Sequence, residues 1–113
     1  MVGHYNCGGI KAALASAKLR DRSGKLLPKN PNTCEAINTW LKPIRSLAVA
    51  QLRSGNGGSD DPDEEQRRLC RTHCVAQAAN IESSETVMRA QQAGQVITVD
   101  AWVYDIAQGK LIE

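Results

Sequence analysis

Apolar residues recur at Ile10, Ala13, Leu14 and Ala17, the i, i+3, i+4, i+7 spacing of one helix face. The pattern dissolves into "LRDRSGKLLPKNPN", a basic connection punctuated by Pro, Gly and Asn. Asn32 with Glu35 three residues on predicts a capping box. Ile37, Leu41, Ile44 and Ala48 then line one face of a second helix. Pro43 falls inside it, where the missing amide is expected to remove a hydrogen bond and kink the backbone. Residues 54–65, "SGNGGSDDPDEE", predict a flexible acidic loop. A third helix carries Leu69, Cys70, Cys74, Gln77, Ala78 and Ile81 near one stripe. A short fourth helix, about 84–93, starts at a Ser cap and stops at Gly94.

After Gly94 the period changes. "QVITVDAWVYDI" is β-branched and aromatic, with Ile97, Val99, Ala101 and Val103 on one face and Val96, Trp102 and Tyr104 on the other. It predicts one long strand buried on both faces, as in a helix-covered sheet. "AQGK" turns the chain and "LIE" returns as a short edge strand. At the other end, "MVGHYNCGGIKAAL" predicts a strand stub, a turn and a helix. The fold class is therefore α/β, with three or four helices around a mainly parallel sheet. A long strand and a stub cannot cover their own edges, so residues 1–113 are expected to form part of a larger domain and to self-associate.

Composition narrows the function classes. The 113 residues carry 14 Lys and Arg against 12 Asp and Glu, a net charge of +2. That balance, with two Trp, two Tyr and no Phe, argues against a nucleic-acid partner. No apolar run approaches the ~20 residues that span a bilayer, and no signal peptide is visible, so a soluble, cytoplasmic chain is expected. Four cysteines without a secretory signal read as free thiols. Cys34, Cys70 and Cys74 are expected to be small buried hydrophobes. Cys7 has different neighbours.

His4 and Cys7 stand in H-x-x-C spacing, which brings an imidazole and a thiol within reach of one ion. Gly8 and Gly9 let the backbone turn tightly into a helix whose N-terminal amides attract negative charge. Zinc accepts such N and S ligands, but a catalytic zinc takes three protein ligands plus water. Two further readings stay open: an ordinary turn, and a different metal site joined by Cys70, His73 or Cys74. Cys70 and Cys74 lie at i, i+4 on one helix face.

"GHYNCGGIKAAL" resembles the zinc-binding segment of the β-class carbonic anhydrases, G-H-x-x-C-G-G followed by a helix. "INTWLKPIR" resembles that family's W-L-x-x-I-R helix, and "VAQAAN" its Gln-x-x-Asn helix. "VITVDAWVYDIAQGKL" resembles its final strand, G-W-x-Y-D-I-x-x-G-x-L, with Ala101 in place of the Gly. The resemblance implies a zinc lyase that interconverts carbon dioxide and bicarbonate, dimeric or larger. It implies His4 and Cys7 as two zinc ligands, with Gly8 and Gly9 as active-site backbone. A third ligand and an Asp–Arg pair come, in that family, from an upstream C-x-D-x-R segment that has no counterpart in this sequence. No catalytic side chain is therefore identifiable here. The alternative is a non-catalytic module that binds zinc or dimerises.

Other candidates have plainer readings. Asp105 is expected to shape the turn after the last strand, and Asp100 to lie at a position open to a partner. Lys18, Arg20, Arg22, Lys25 and Lys29 read as a solvated basic loop. Trp40 and Trp102 read as core or subunit-interface residues.

Overall fold

The computed structural model describes residues 1–55 and 61–113. Two compact units emerge: Met1–Tyr5 with Cys70–Glu113, and Asn6–Leu69. In chain order the elements are β1 (Val2–His4), α1 (Gly8–Ala17), α2 (Glu35–Arg53), α3 (Pro62–Glu82), α4 (Glu85–Gln92), β2 (Trp102–Asp105) and β3 (Lys110–Ile112). The fold class is α/β.

In the unit spanning Asn6–Leu69, α1 packs on α2. Ile10, Ala13, Leu14 and Ala17 are buried on α1, and Leu41, Ile44 and Ala48 on α2. Alanines at the contact let two helices approach closely. Arg45 fixes the connection between them. Its Nε donates to Ser16 Oγ at 2.8 Å, and its Nη2 to the carbonyls of Ser16 at 3.3 Å and of Leu27. Lys18 Nζ pairs with Glu65 at 2.6 Å, and Gln51 Nε2 donates to the Glu65 carbonyl at 3.1 Å.

The basic connection is built rather than loose. Asp21 Oδ1 accepts from the Ser23 hydroxyl at 2.6 Å and from the amides of Ser23 and Lys25 at 2.8 and 2.9 Å. The Ser23 hydroxyl, then the Lys25 amide, hold the Asp21 carboxyl below its ordinary value. Lys29 Nζ reaches Glu35 at 2.5 Å, and Arg20 Nη1 donates to the Ala17 and Leu19 carbonyls at 3.0 Å.

Helix α2 departs from expectation at its start. Its N-cap is Cys34, which makes no side-chain cap bond, so the Asn32–Glu35 capping box does not form. The Asn32 amide instead donates to Asn30 Oδ1 at 2.9 Å, and Asn38 Nδ2 donates to the carbonyls of Asn30 and Thr33 at 3.0 Å. A turn has taken the residues the cap needed. Cys34 is consequently exposed, not buried as expected. The helix continues through Pro43 to Arg53. Residues 56–60 of the expected acidic loop lie outside the described residues. Pro62, Asp63, Glu64 and Glu65, also assigned to that loop, instead form the first turn of α3. Proline suits a first helical position, and acidic residues suit a helix N-terminus.

In the other unit the sheet order is β1-β2-β3. β1 pairs parallel with β2, Val2 opposite Trp102 and His4 opposite Tyr104, and β2 pairs antiparallel with β3. The sheet is thus mixed, with parallel character only at β1–β2. The part of α3 from Cys70 onward packs closely on it. A β-carbon built on Gly3 would stand 3.6 Å from Cys74 Cβ and 3.7 Å from Cys70 Sγ. Cys70 Sγ donates to the His4 carbonyl at 3.2 Å, and Cys74 Sγ to the Trp102 carbonyl at 3.0 Å. Both thiols are buried, as the stripe predicts.

The long two-sided strand does not form. Only Trp102–Asp105 is strand; residues 96–101 have no regular structure, and Val96 is 96% exposed. The ladder pairs Val2–His4 with Trp102–Tyr104, and beyond it Met1 bonds the Trp102 amide and the Asp100 carbonyl, both at 2.9 Å. Within β2, Val103 and Asp105 are buried while Trp102 and Tyr104 are partly exposed, so one face is covered and not two. Trp102 is accordingly outside the core.

The remaining local structure follows the sequence. Ser84 Oγ accepts from the Val87 amide at 3.4 Å. Gly94, at φ 93°, ends α4: its amide reaches the Gln91 carbonyl and that of Gln95 reaches Ala90, both at 3.0 Å, a Schellman motif. Asp105 Oδ1 accepts from the Ala107 and Gln108 amides at 3.1 and 3.3 Å, which makes the expected turn into β3. No helix among the described residues is long and apolar enough to cross a membrane.

Two outcomes follow from these contacts. Arg45→Ala is expected to lower stability by about 2 kcal/mol, since it strips a charged donor from several carbonyl and hydroxyl acceptors. Arg45→Lys should keep the charge but recover little, because the planar fork is lost. Urea midpoints by circular dichroism measure both. The second outcome concerns His73 on α3, whose Nδ1 is buried with no hydrogen-bond partner. Burial pushes this imidazole below its ordinary 6.5. The unfolded chain therefore takes up the proton first as pH falls. Stability is expected to be full above about pH 6.5 and to decline below it, until the folded-state imidazole also protonates. Urea midpoints at about pH 7.5 and 5.5 should differ less in His73→Gln than in the parent chain; an equal difference would refute the assignment.

Candidate metal-binding motif

His4 closes β1, exposed, in register with Tyr104. Its Nδ1 lies 3.0 Å from the Tyr5 carbonyl. A carbonyl oxygen only accepts, so Nδ1 carries the proton and Nε2 carries the lone pair. A backbone carbonyl on one ring nitrogen is the usual way a ligating histidine has its other nitrogen prepared. The His4 carbonyl itself is engaged by Cys70 Sγ, which fixes the backbone on which the ring turns.

Asn6 follows at φ 63°, the left-handed region that Asn tolerates better than most residues. Its Oδ1 accepts from Lys11 Nζ at 2.5 Å. Cys7 is the N-cap of α1, half-buried, and its carbonyl accepts from the Lys11 amide at 3.1 Å. The Cys7 side chain makes no cap bond, so no backbone amide of α1 competes for its sulfur. The first turn of α1 contains no acidic residue.

The two glycines differ. A β-carbon on Gly8 would meet nothing within 4 Å. One on Gly9 would stand 3.3 Å from Trp40 Cη2 and 3.7 Å from Cys7 Sγ. Trp40 is 67% exposed, so the core reading of this residue does not hold. Its place beside the first turn of α1 was invisible to spacing, because 33 positions separate it from Cys7.

Among the described residues, no three His, Cys, Asp or Glu side chains are grouped so as to hold a metal ion. Cys70 and Cys74, the residues of the other conceivable metal site, spend their thiol protons on strand carbonyls. Asp105 belongs to its turn and Asp100 is exposed. Of the basic run, Lys18, Arg20 and Lys29 are committed to structural partners.

The sequence model of the carbonic anhydrase family matches residues 1–111. Carbonic anhydrase 1 of Escherichia coli O157:H7 is 30% identical over 109 residues, which are 96% of this chain and 42% of that protein. A carbonic anhydrase of Emericella nidulans is 25% identical over 96% of this chain and 41% of its own length. The chain therefore spans about two fifths of the relatives it matches. Among solved structures, the Coccomyxa β-carbonic anhydrase in complex with acetazolamide superposes with a TM-score of 0.74 at 25% identity. That likeness covers 99% of this chain and 44% of the other. One of two tetrameric β-carbonic anhydrases from Sordaria macrospora shares the fold at a TM-score of 0.74, over 98% and 48% of the two chains. Strand stub, H-x-x-C-G-G turn, helices and closing hairpin together place this chain in the β-class carbonic anhydrase family.

Proposed function

We propose that this chain serves the zinc-dependent, reversible hydration of carbon dioxide to bicarbonate, with His4 and Cys7 as two of the protein ligands to the metal. The observation that carries the reading is the His4 Nδ1 contact with the Tyr5 carbonyl, which leaves Nε2 as the coordinating nitrogen. An imidazole nitrogen and a thiolate sulfur suit zinc by donor type. Zinc, when bound, supplies the Lewis acidity that brings the pKa of water toward neutrality.

Each residue present has a part of its own. Tyr5 fixes the His4 tautomer through its carbonyl. Cys7 offers a sulfur with no competing cap bond. Gly8 and Gly9 leave the first two positions of α1 without side chains. Among the described residues the donor set fits zinc in kind but stops at two, one short of a catalytic site. The C-x-D-x-R segment to which the family resemblance assigns the third ligand and the Asp–Arg pair has no counterpart in residues 1–113. Self-association belongs to the same proposal, since the Sordaria macrospora proteins of this fold are tetrameric. If no third ligand is supplied, the chain becomes a non-catalytic module that binds zinc or dimerises.

Zinc uptake and stopped-flow hydration of carbon dioxide separate these outcomes. His4→Ala and Cys7→Ser should each weaken zinc binding by about 100-fold, read by competition with a chromogenic chelator. Any hydration above buffer should vanish in Cys7→Ser. Zinc bound equally well by both variants would end the assignment. Zinc binding lost in both, with no hydration by the parent chain, would favour the non-catalytic module.

A further inference from the structure

We propose that Trp40 is a positioning residue for Cys7: its indole, seated on Gly9, closes one flank of the thiol and restricts its orientation. The inference deepens the zinc reading above and rests on it for its functional meaning. Its physical content is independent of any metal.

Three observations meet at the first turn of α1. The Trp40 ring atoms Cη2 and Cζ3 stand 3.3 and 3.5 Å from the point a Gly9 β-carbon would occupy, and Cys7 Sγ stands 3.7 Å from the same point. Indole edge and sulfur therefore flank one vacant position, and only glycine leaves it vacant. The neighbouring Gly8 has open space there, so it is the second glycine of the C-G-G run that is tied to the ring. Next, Trp40 remains 67% exposed, although burial of an indole is strongly favourable. It is not a core residue that happens to reach the turn. Its neighbour Leu41, buried on α2, holds the helix that carries it. Finally, the Cys7 side chain makes no cap hydrogen bond, so no such bond fixes its rotamer. An aromatic edge that bounds the same space as the sulfur limits where that sulfur can turn. A ligand sulfur held in one orientation loses less freedom on meeting a metal, and a shielded flank keeps water from competing for it.

The test uses the full chain with Cys34→Ser, which removes the exposed thiol. Iodoacetamide labelling at fixed pH, with peptide mapping, reads Cys7 separately from the buried Cys70 and Cys74. Trp40→Ala should raise the Cys7 labelling rate about 5-fold and leave Cys70 and Cys74 unchanged. Trp40→Phe should restore most of the protection. Zinc affinity should fall about 10-fold in Trp40→Ala and recover in Trp40→Phe. An unchanged Cys7 rate in folded Trp40→Ala overturns the proposal. So does a rate increase that disappears once parent and variant are compared as monomers by light scattering, since Trp40 would then be a subunit contact. If Trp40→Ala does not fold, Trp40→Gln is read by the same criteria. Faster Cys7 labelling in a chain that takes up no zinc would sustain the positioning role while ending the zinc reading.

Discussion

β1 is three residues long, and the parallel ladder it makes with β2 is what the unit containing His4 depends on. A strand so short has no independent stability. What holds it is the register with Trp102, Val103 and Tyr104, reinforced at both ends by backbone bonds. The Trp102 amide reaches the Met1 carbonyl at 2.9 Å, and the Tyr5 amide reaches the Tyr104 carbonyl at 3.1 Å. α3 lies against the ladder with Cys70 and Cys74 over Gly3, at distances where a β-carbon on position 3 would make ordinary van der Waals contact. The thiols also satisfy strand carbonyls, and the carbonyl of His4 is one of them. The imidazole thus hangs from a backbone that is pinned by ladder and helix together.

The helical unit solves a different problem by similar means. Its long connection between α1 and α2 has little apolar material to bury, so polar contacts order it. Asp21 organises the first turn, Asn30 the second, and Arg45 reaches from α2 to close the segment against Ser16 and Leu27. The charge in this stretch is thereby largely committed to the chain's own backbone and carboxylates. A basic run that looks free for an anion in the sequence is mostly an internal scaffold.

Sequence pattern exposed those parts of the fold whose causes are local. The apolar stripes of α1 and α2, the Ser84 and Gly94 boundaries of α4, and the Asp105 turn all arise from residues within a few positions of one another. The H-x-x-C-G-G turn was legible for the same reason. Expectation failed where the cause lay elsewhere in the chain. Residues 96–101 carry strong β propensity, yet beside β1 the Asp100 carbonyl accepts from the Met1 amine at 2.9 Å and no ladder forms, and propensity without a ladder makes no strand. Asn32 and Glu35 have the right spacing for a capping box, but Asn30 and Asn38 draw the local donors into another arrangement. Trp40 beside Gly9 belongs to this class too: the contact is set by how α1 packs on α2, which no short window contains.

The four cysteines show how environment separates residues that spacing treats alike. Cys70 and Cys74 have the i, i+4 geometry of a ligand pair, and a search by spacing alone would join them to a metal site. Their surroundings decide otherwise. Each is buried, each sits over a strand, and each has a carbonyl within reach of its proton. A thiol that donates this way keeps its proton, whereas a zinc ligand must give it up. Cys34 is exposed at a helix cap with no neighbour that recruits it. Cys7 alone combines partial burial with a side chain that makes no cap bond, and a histidine stands three positions before it in the sequence. The distinction comes from which atoms are already engaged. The same logic accounts for a fold shared at 25% identity. The contacts that fix this chain are largely backbone ladders, capped turns and small residues at close approaches, and these tolerate wide substitution elsewhere.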